Sequence, residues 1–178
     1  MNNSLNQDVF VEEGSHLTIK SVYLQNHPKY LKITKETVFN GDSFQIQHVF
    51  FIEDPAGLIQ NPQMVWQAEL QPTEKNINED RQYASAIINQ GGTITHYTLG
   101  ASLDDFLEPV YLPGTTNWIA VRNKYFISSL IFNNAFDFAK IEASNNVFIN
   151  NETFPAFSLS AGKNGLLANN SLSCNMYI

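Results

Sequence analysis

Apolar and polar residues alternate with a period of two along much of the chain. Across residues 44–52, Phe44, Ile46, His48, Phe50 and Ile52 share one face, and Gln45, Gln47 and Val49 share the other. That pattern belongs to a strand with one face buried. Met64, Trp66, Ala68 and Leu70 alternate in the same way with Val65, Gln67 and Glu69. Leu172, Cys174, Met176 and Ile178 alternate with Ser171, Ser173 and Asn175. Shorter runs of strand character cover 17–24, 31–38, 83–88, 93–99, 136–141, 147–149 and 156–159. Residues 118–132 read as one long apolar strand with a bend near Asn123.

Turn chemistry separates these runs. Asn40-Gly41-Asp42 is a hairpin signal, and Asn89-Gln90-Gly91-Gly92 is another. Pro55-Ala56-Gly57, Pro113-Gly114, Ala161-Gly162 and Asn164-Gly165 mark further loops. No segment sustains a 3.6-residue period. Only 73–76 and 102–106 carry residues suited to opening a helical turn. Short strands at this spacing predict an all-β fold, an antiparallel sandwich or barrel with less than about a fifth of its residues helical. The expected core comprises Phe44, Ile46, Phe50, Met64, Trp66, Leu70, Trp118, Phe126, Leu130 and Met176.

Length and composition narrow the classes. The 178 residues suit a single domain spanning 1–178, with 1–8 disordered. Cys174 is the only cysteine, so a disulfide scaffold is excluded. The net charge of −7 opposes binding to phosphate backbones or anionic lipid, so nucleic acid is not an expected partner. The two arginines, Arg81 and Arg122, form no patch. A spanning helix needs about 20 consecutive apolar residues. The best run, 125–132, is interrupted by Ser128 and Ser129, so the chain is expected to be a soluble, monomeric piece. The first ten residues lack the basic and apolar regions of a signal peptide.

Candidate chemistry is sparse. His16, His27, His48 and His96 lie far apart, and no metal-ligand spacing occurs. His48 falls on the apolar face of its strand and His96 shares a face with Ile94 and Thr98, both readings of packed rather than ligating histidines. No Gly-x-Ser-x-Gly is present, and Cys174 reads as a small packed hydrophobe. Gly91-Gly92 has no helix after it to make a phosphate loop. Glu69, Glu74, Asp104, Asp105 and Glu108 are the carboxylates available to a glycosidase pair, but spacing alone assembles none. Trp66 and Trp118 have the chemistry of sugar platforms, although both belong to apolar runs and are expected inside. No catalytic, cofactor-binding or metal residue is assigned, and no cofactor is expected.

The order of segments resembles the large periplasmic domain of YidC-type membrane protein insertases, of a Bacteroidota-like kind. Asn117-Trp118-Ile119-Ala120-Val121-Arg122-Asn123-Lys124-Tyr125-Phe126-Ile127-Ser128-Ser129-Leu130-Ile131 resembles that family's aromatic strand. Residues 38–46 resemble a hairpin entering a central strand, Leu70-Gln71-Pro72-Thr73-Glu74-Lys75-Asn76 a characteristic turn, and 171–178 the closing strand. The resemblance covers about 31–178 and matches the later portion of that domain. It implies a twisted antiparallel β-supersandwich, related to mutarotase and carbohydrate-binding sandwiches. It also implies a place in the periplasm of a Gram-negative bacterium, between transmembrane helices of an inner-membrane protein. The family's role is insertion and folding of membrane proteins, alone or beside the Sec translocon, with SecD/SecF as expected partners of this domain. Its groove arginine lies in the membrane core, so Arg81 and Arg122 inherit no role. The function expected is therefore a non-catalytic interaction domain, meeting its partner through an open sheet face. The alternative is a carbohydrate-binding module or mutarotase-like enzyme, which needs a carboxylate base opposed to a histidine acid. His48, His96 and Glu69 are the residues that would have to converge.

Overall fold

The computed structural model describes residues 9–98, 108–147, 153–165 and 171–178. Among these described residues run ten strands and one short helix. They are β1 (His16–Gln25), β2 (Leu31–Asn40), β3 (Gln45–Glu53), β4 (Gln63–Glu69), α1 (Ile77–Arg81), β5 (Ser85–Gln90), β6 (Thr93–Thr98), β7 (Val110–Arg122), β8 (Ile127–Val147), β9 (Thr153–Gly162) and β10 (Ser171–Tyr177). All pairings are antiparallel, and the neighbours run β1-β2-β3-β10-β8-β7-β5-β6. The expected all-β class is what the chain adopts.

The long strand β8 sets the architecture. Its first part pairs on one side with β10, with Cys174 opposite Phe132 and Tyr177 opposite Ser129. Its second part pairs on that same side with β9, and β9 carries β4. Two sub-sheets therefore grow from one edge of β8. Between them, partner strand β7 shifts register near Pro113, Thr116 and Trp118. Such bulges bend a strand, and the bend brings β4 over β3 and β10. Gln90 ties the bulge down: its Nε2 donates to Leu112 O at 2.9 Å, Gly114 O at 3.1 Å and Thr116 Oγ1 at 3.0 Å. Between β5 and β6, Gly91 and Gly92 both take positive φ, 55° and 87°, which a two-residue hairpin demands.

Buried side chains from β5, β7, β8 and β9 make the core, including Ile88, Ile119, Phe136, Ile141, Phe154, Phe157 and Leu159. Small residues Ala84, Ala86, Ala139 and Ala161 let the layers close. Of the expected core, Leu70 and Leu130 are buried, and Ile46, Phe50, Met64, Trp66, Trp118 and Met176 are half-buried. Phe44 and Phe126 correct the expectation, at 84% and 67% exposed. Each falls in a turn rather than a strand, so alternation does not govern where it points. The run 118–132 is likewise two strands, the end of β7 and the start of β8, hairpinned at the expected bend. Asn123 makes that turn. Its Oδ1 accepts from the backbone N–H of Tyr125 at 3.1 Å and Phe126 at 2.8 Å. Helix α1 starts one residue after the predicted 73–76 turn, capped by Asn76 Oδ1 accepting from Glu79 N at 3.3 Å. The second predicted turn, 102–106, and residues 1–8 lie outside the described residues. No helix among the described residues is long and apolar enough to cross a membrane.

Candidate functional site: an apolar cleft between two layers

The bend leaves an open cleft of about 560 Å³ between the β2-β3-β10 layer and β4. Register explains its floor. Ile33 stands opposite Ile52, Lys35 opposite Phe50 and Thr37 opposite His48. One strand further, Phe50 faces Leu172 and His48 faces Cys174. The period-two faces of three strands thus line up as one apolar surface, continued by Leu130 of β8. Met64, Val65 and Trp66 of β4, with Ile59 and Pro62 before them, form the opposite wall. β4 pairs with β9 on one side only, and no other strand among the described residues pairs with it.

Two polar groups interrupt this lining. The Lys35 ammonium lies 5.6 Å from the Phe50 ring centroid, a cation–π distance. His48 Nδ1 lies 3.1 Å from Thr37 Oγ1. Burial pushes the His48 pKa below its ordinary value, and the Lys35 charge adds to that. The imidazole is therefore held neutral. Burial likewise pushes the Cys174 thiol up to about 11, so it stays protonated, although the Lys35 charge pulls slightly the other way.

The residues singled out from sequence do not gather here as an acid–base set. His48 is in the cleft, but His96 is exposed on β6, four strands further along the sheet from β3's neighbour β10. Glu69 is exposed at the end of β4, opposite Ala156. The three side chains required by the sugar-enzyme alternative therefore sit on separate parts of the fold. His16, His27 and Glu108 are exposed, and Asp104 and Asp105 lie outside the described residues. Glu74 is engaged elsewhere, accepting from Lys124 Nζ at 3.1 Å and from the Tyr125 hydroxyl. No cluster of three or more His, Cys, Asp or Glu suited to a metal occurs among the described residues. Trp66 both packs on the core and lines the cleft, whereas Trp118 is half-buried on β7 away from it. Arg81 is buried in α1. Sequence reading missed Ile33, Lys35, Ile59 and Pro62 as site residues. Alternation marks a face on β2, but not which strand it will oppose.

Fold and site together define a bent all-β domain with an open apolar cleft between two of its layers. Sequence comparison finds several proteins to which the chain is similar. The chain is similar to the membrane protein insertase YidC of Chlorobium luteolum, 34% identical over 95 residues, which is 52% of this chain and 16% of that protein. Over a longer stretch of 136 residues it is 29% identical to YidC of Chlorobium phaeovibrioides, covering 70% of this chain and 23% of that protein. YidC of Pelodictyon phaeoclathratiforme is 30% identical over 97 residues, again 52% of this chain and 16% of the relative. No protein-family model matches. The resemblance read from the sequence thus stands on several relatives, and this chain corresponds to less than a quarter of their length.

Proposed function

We propose that this chain is an interaction domain of a membrane protein insertase, the later portion of its large periplasmic domain, and that it works without catalysis. The observation that carries this reading is the open apolar cleft, which presents Met64, Met176, Trp66 and Phe50 but no opposed acid and base. Polarizable methionines beside aromatics suit contact with apolar segments of varied sequence. The edge of β4 that no strand among the described residues pairs with borders the same cleft, so an extended segment laid there gains backbone hydrogen bonds as well as apolar burial. A protein partner therefore fits better than a sugar, which needs convergent polar groups. In this reading the domain stands in the periplasm, joined to inner-membrane helices. SecD/SecF are the expected partners, from the family resemblance. The test is a photo-reactive residue at Val65 in the full-length insertase, with Thr95 on β6 as control. Adducts with SecD/SecF or with an inserting membrane protein from Val65 alone are expected. Equal yields from both positions, or none from Val65, would overturn the cleft as the contact.

A further inference from the structure

One end of the sheet carries an apolar rim that the cleft does not use. Strand register locates it. β3 begins there at Gln45, opposite Tyr177 at the end of β10. Tyr177 is also opposite Ser129, next to the start of β8. Arg122 at the end of β7 faces Ile127 across the Asn123 hairpin. Phe44, Tyr125, Phe126, Ile127 and Ile178 all emerge at this end, each more than half exposed. Phe44 leads into β3 and Phe126 into β8, with β10 between those strands, so at about 4.8 Å per strand spacing they stand roughly 10 Å apart. Ile178 lies between them, its N–H donating to Phe44 O at 3.4 Å.

The rim is built to stay exposed. Asn123 is buried, its Nδ2 donates to Gln71 O at 3.3 Å, and its Oδ1 pins the two following amides. Lys124 Nζ is held by Glu74 Oε1 at 3.1 Å and Glu79 Oε1 at 3.0 Å. Its ammonium also lies 5.4 Å from the Tyr125 ring centroid and 5.6 Å from that of Tyr83. A stiff turn cannot fold Phe126 back onto the core, so its ring is presented to whatever lies beyond. Tyrosine, with an apolar ring and a polar hydroxyl, favours the membrane–water interface, and Tyr125 and Tyr177 flank the exposed phenylalanines here. The local charges are mixed and the chain is acidic, which argues against attraction to anionic headgroups.

We infer that this rim is a lipid-facing edge. Phe44, Phe126 and Ile127, flanked by Tyr125 and Tyr177, rest in the interface of a zwitterionic bilayer. This inference rests on the insertase reading, under which the domain is joined to inner-membrane helices. The cleft, opening between the layers, is then left free for a protein segment.

The test uses the 178-residue chain and phosphatidylcholine vesicles. An environment-sensitive fluorophore is placed at Ser43→Cys beside the rim, or at Asn26→Cys in the turn at the opposite end, each in a Cys174→Ala background. Flotation of the unlabelled chain with the same vesicles provides a second reading that needs no cysteine change. A blue shift and quenching by spin-labelled lipid at position 43 only are expected. Replacing the exposed pair, Phe44→Ser with Phe126→Ser, should lower partitioning at least about tenfold. Absence of a shift at position 43, an equal shift at position 26, or binding that appears only with anionic lipid would overturn the inference. The Val65 adduct requires no vesicle binding by this chain, so either reading can fail alone.

Discussion

A Cβ placed on Gly162 would stand 2.2 Å from Cζ of Phe138. The two residues are register partners on β9 and β8, at the place where the second sub-sheet starts. Space, not backbone conformation, demands glycine here. Phe138 is buried and tilted against Tyr111, with ring centroids 5.2 Å apart, so its ring has little room to yield. Gly162→Ala should therefore cost about 1–3 kcal/mol through overpacking. Urea unfolding of Gly162→Ala alone and with Phe138→Leu checks this: the second change should recover much of the loss. A neutral single variant would contradict the packing described.

Asp80 shapes the loop that precedes α1. Its carboxylate accepts from Thr73 Oγ1 at 3.0 Å and from Glu74 N at 3.3 Å, and also from Thr73 N. The residue is fully buried, so Asp80→Ala strands those donors and should cost about 1–3 kcal/mol. Asp80→Asn keeps one acceptor oxygen and should lose less. Denaturation midpoints in the order wild type, Asn, Ala are expected. An Ala variant as stable as wild type would show that water replaces the carboxylate.

Much of this fold was legible because a strand's period of two is written locally. The faces of β3, β4 and β10 read correctly, and His48, Cys174 and Met176 point where alternation put them. The Asn123 bend was also visible, but a continuous apolar run hides a hairpin when its turn is made by an asparagine side chain rather than by glycine. Phe44 and Phe126 misled for a related reason: their apolarity suggests a core, while their turn positions aim them outward. The cleft was not legible at all. It exists because Pro113 to Trp118 shift register and bend β8, a long-range event that no window of sequence contains. Gly162 looked like a loop signal and is instead a gap left for the Phe138 ring.

His48 should make stability pH-dependent on the acid side. Burial and the Lys35 charge lower its folded pKa below the ordinary 6.5. The folded state then binds fewer protons than the unfolded state in that range. Its contribution is complete above about 6.5 and is lost as pH falls through the lowered folded value. Urea midpoints measured downward from pH 7.5 should fall more steeply for wild type than for His48→Gln, which keeps a partner for the Thr37 hydroxyl. Identical slopes would mean that the imidazole is solvated when the protein is folded.

Cys174 tests the floor of the cleft from within. It is 1% exposed, stands opposite His48 on β3 and Phe132 on β8, and belongs to the buried core. Burial raises its thiol from 9.0 to about 11. At pH 8 the folded protein thus holds almost no thiolate, and the sulfur is shielded as well. Alkylation by iodoacetamide should be slow in native buffer and rapid in urea, with the native rate following opening of the fold. The raised pKa also predicts a loss of stability in alkali. The neutral thiol's contribution is complete below about 9, where the unfolded thiol begins to ionise, and is lost as pH rises to about 11. Tyrosines titrate in the same range, so the quantity to measure is the difference between wild type and Cys174→Ala. That difference should shrink across the window. Fast native alkylation at pH 8 would show that the two layers part readily beside β4, and the cleft would then be a mobile seam rather than a formed binding surface.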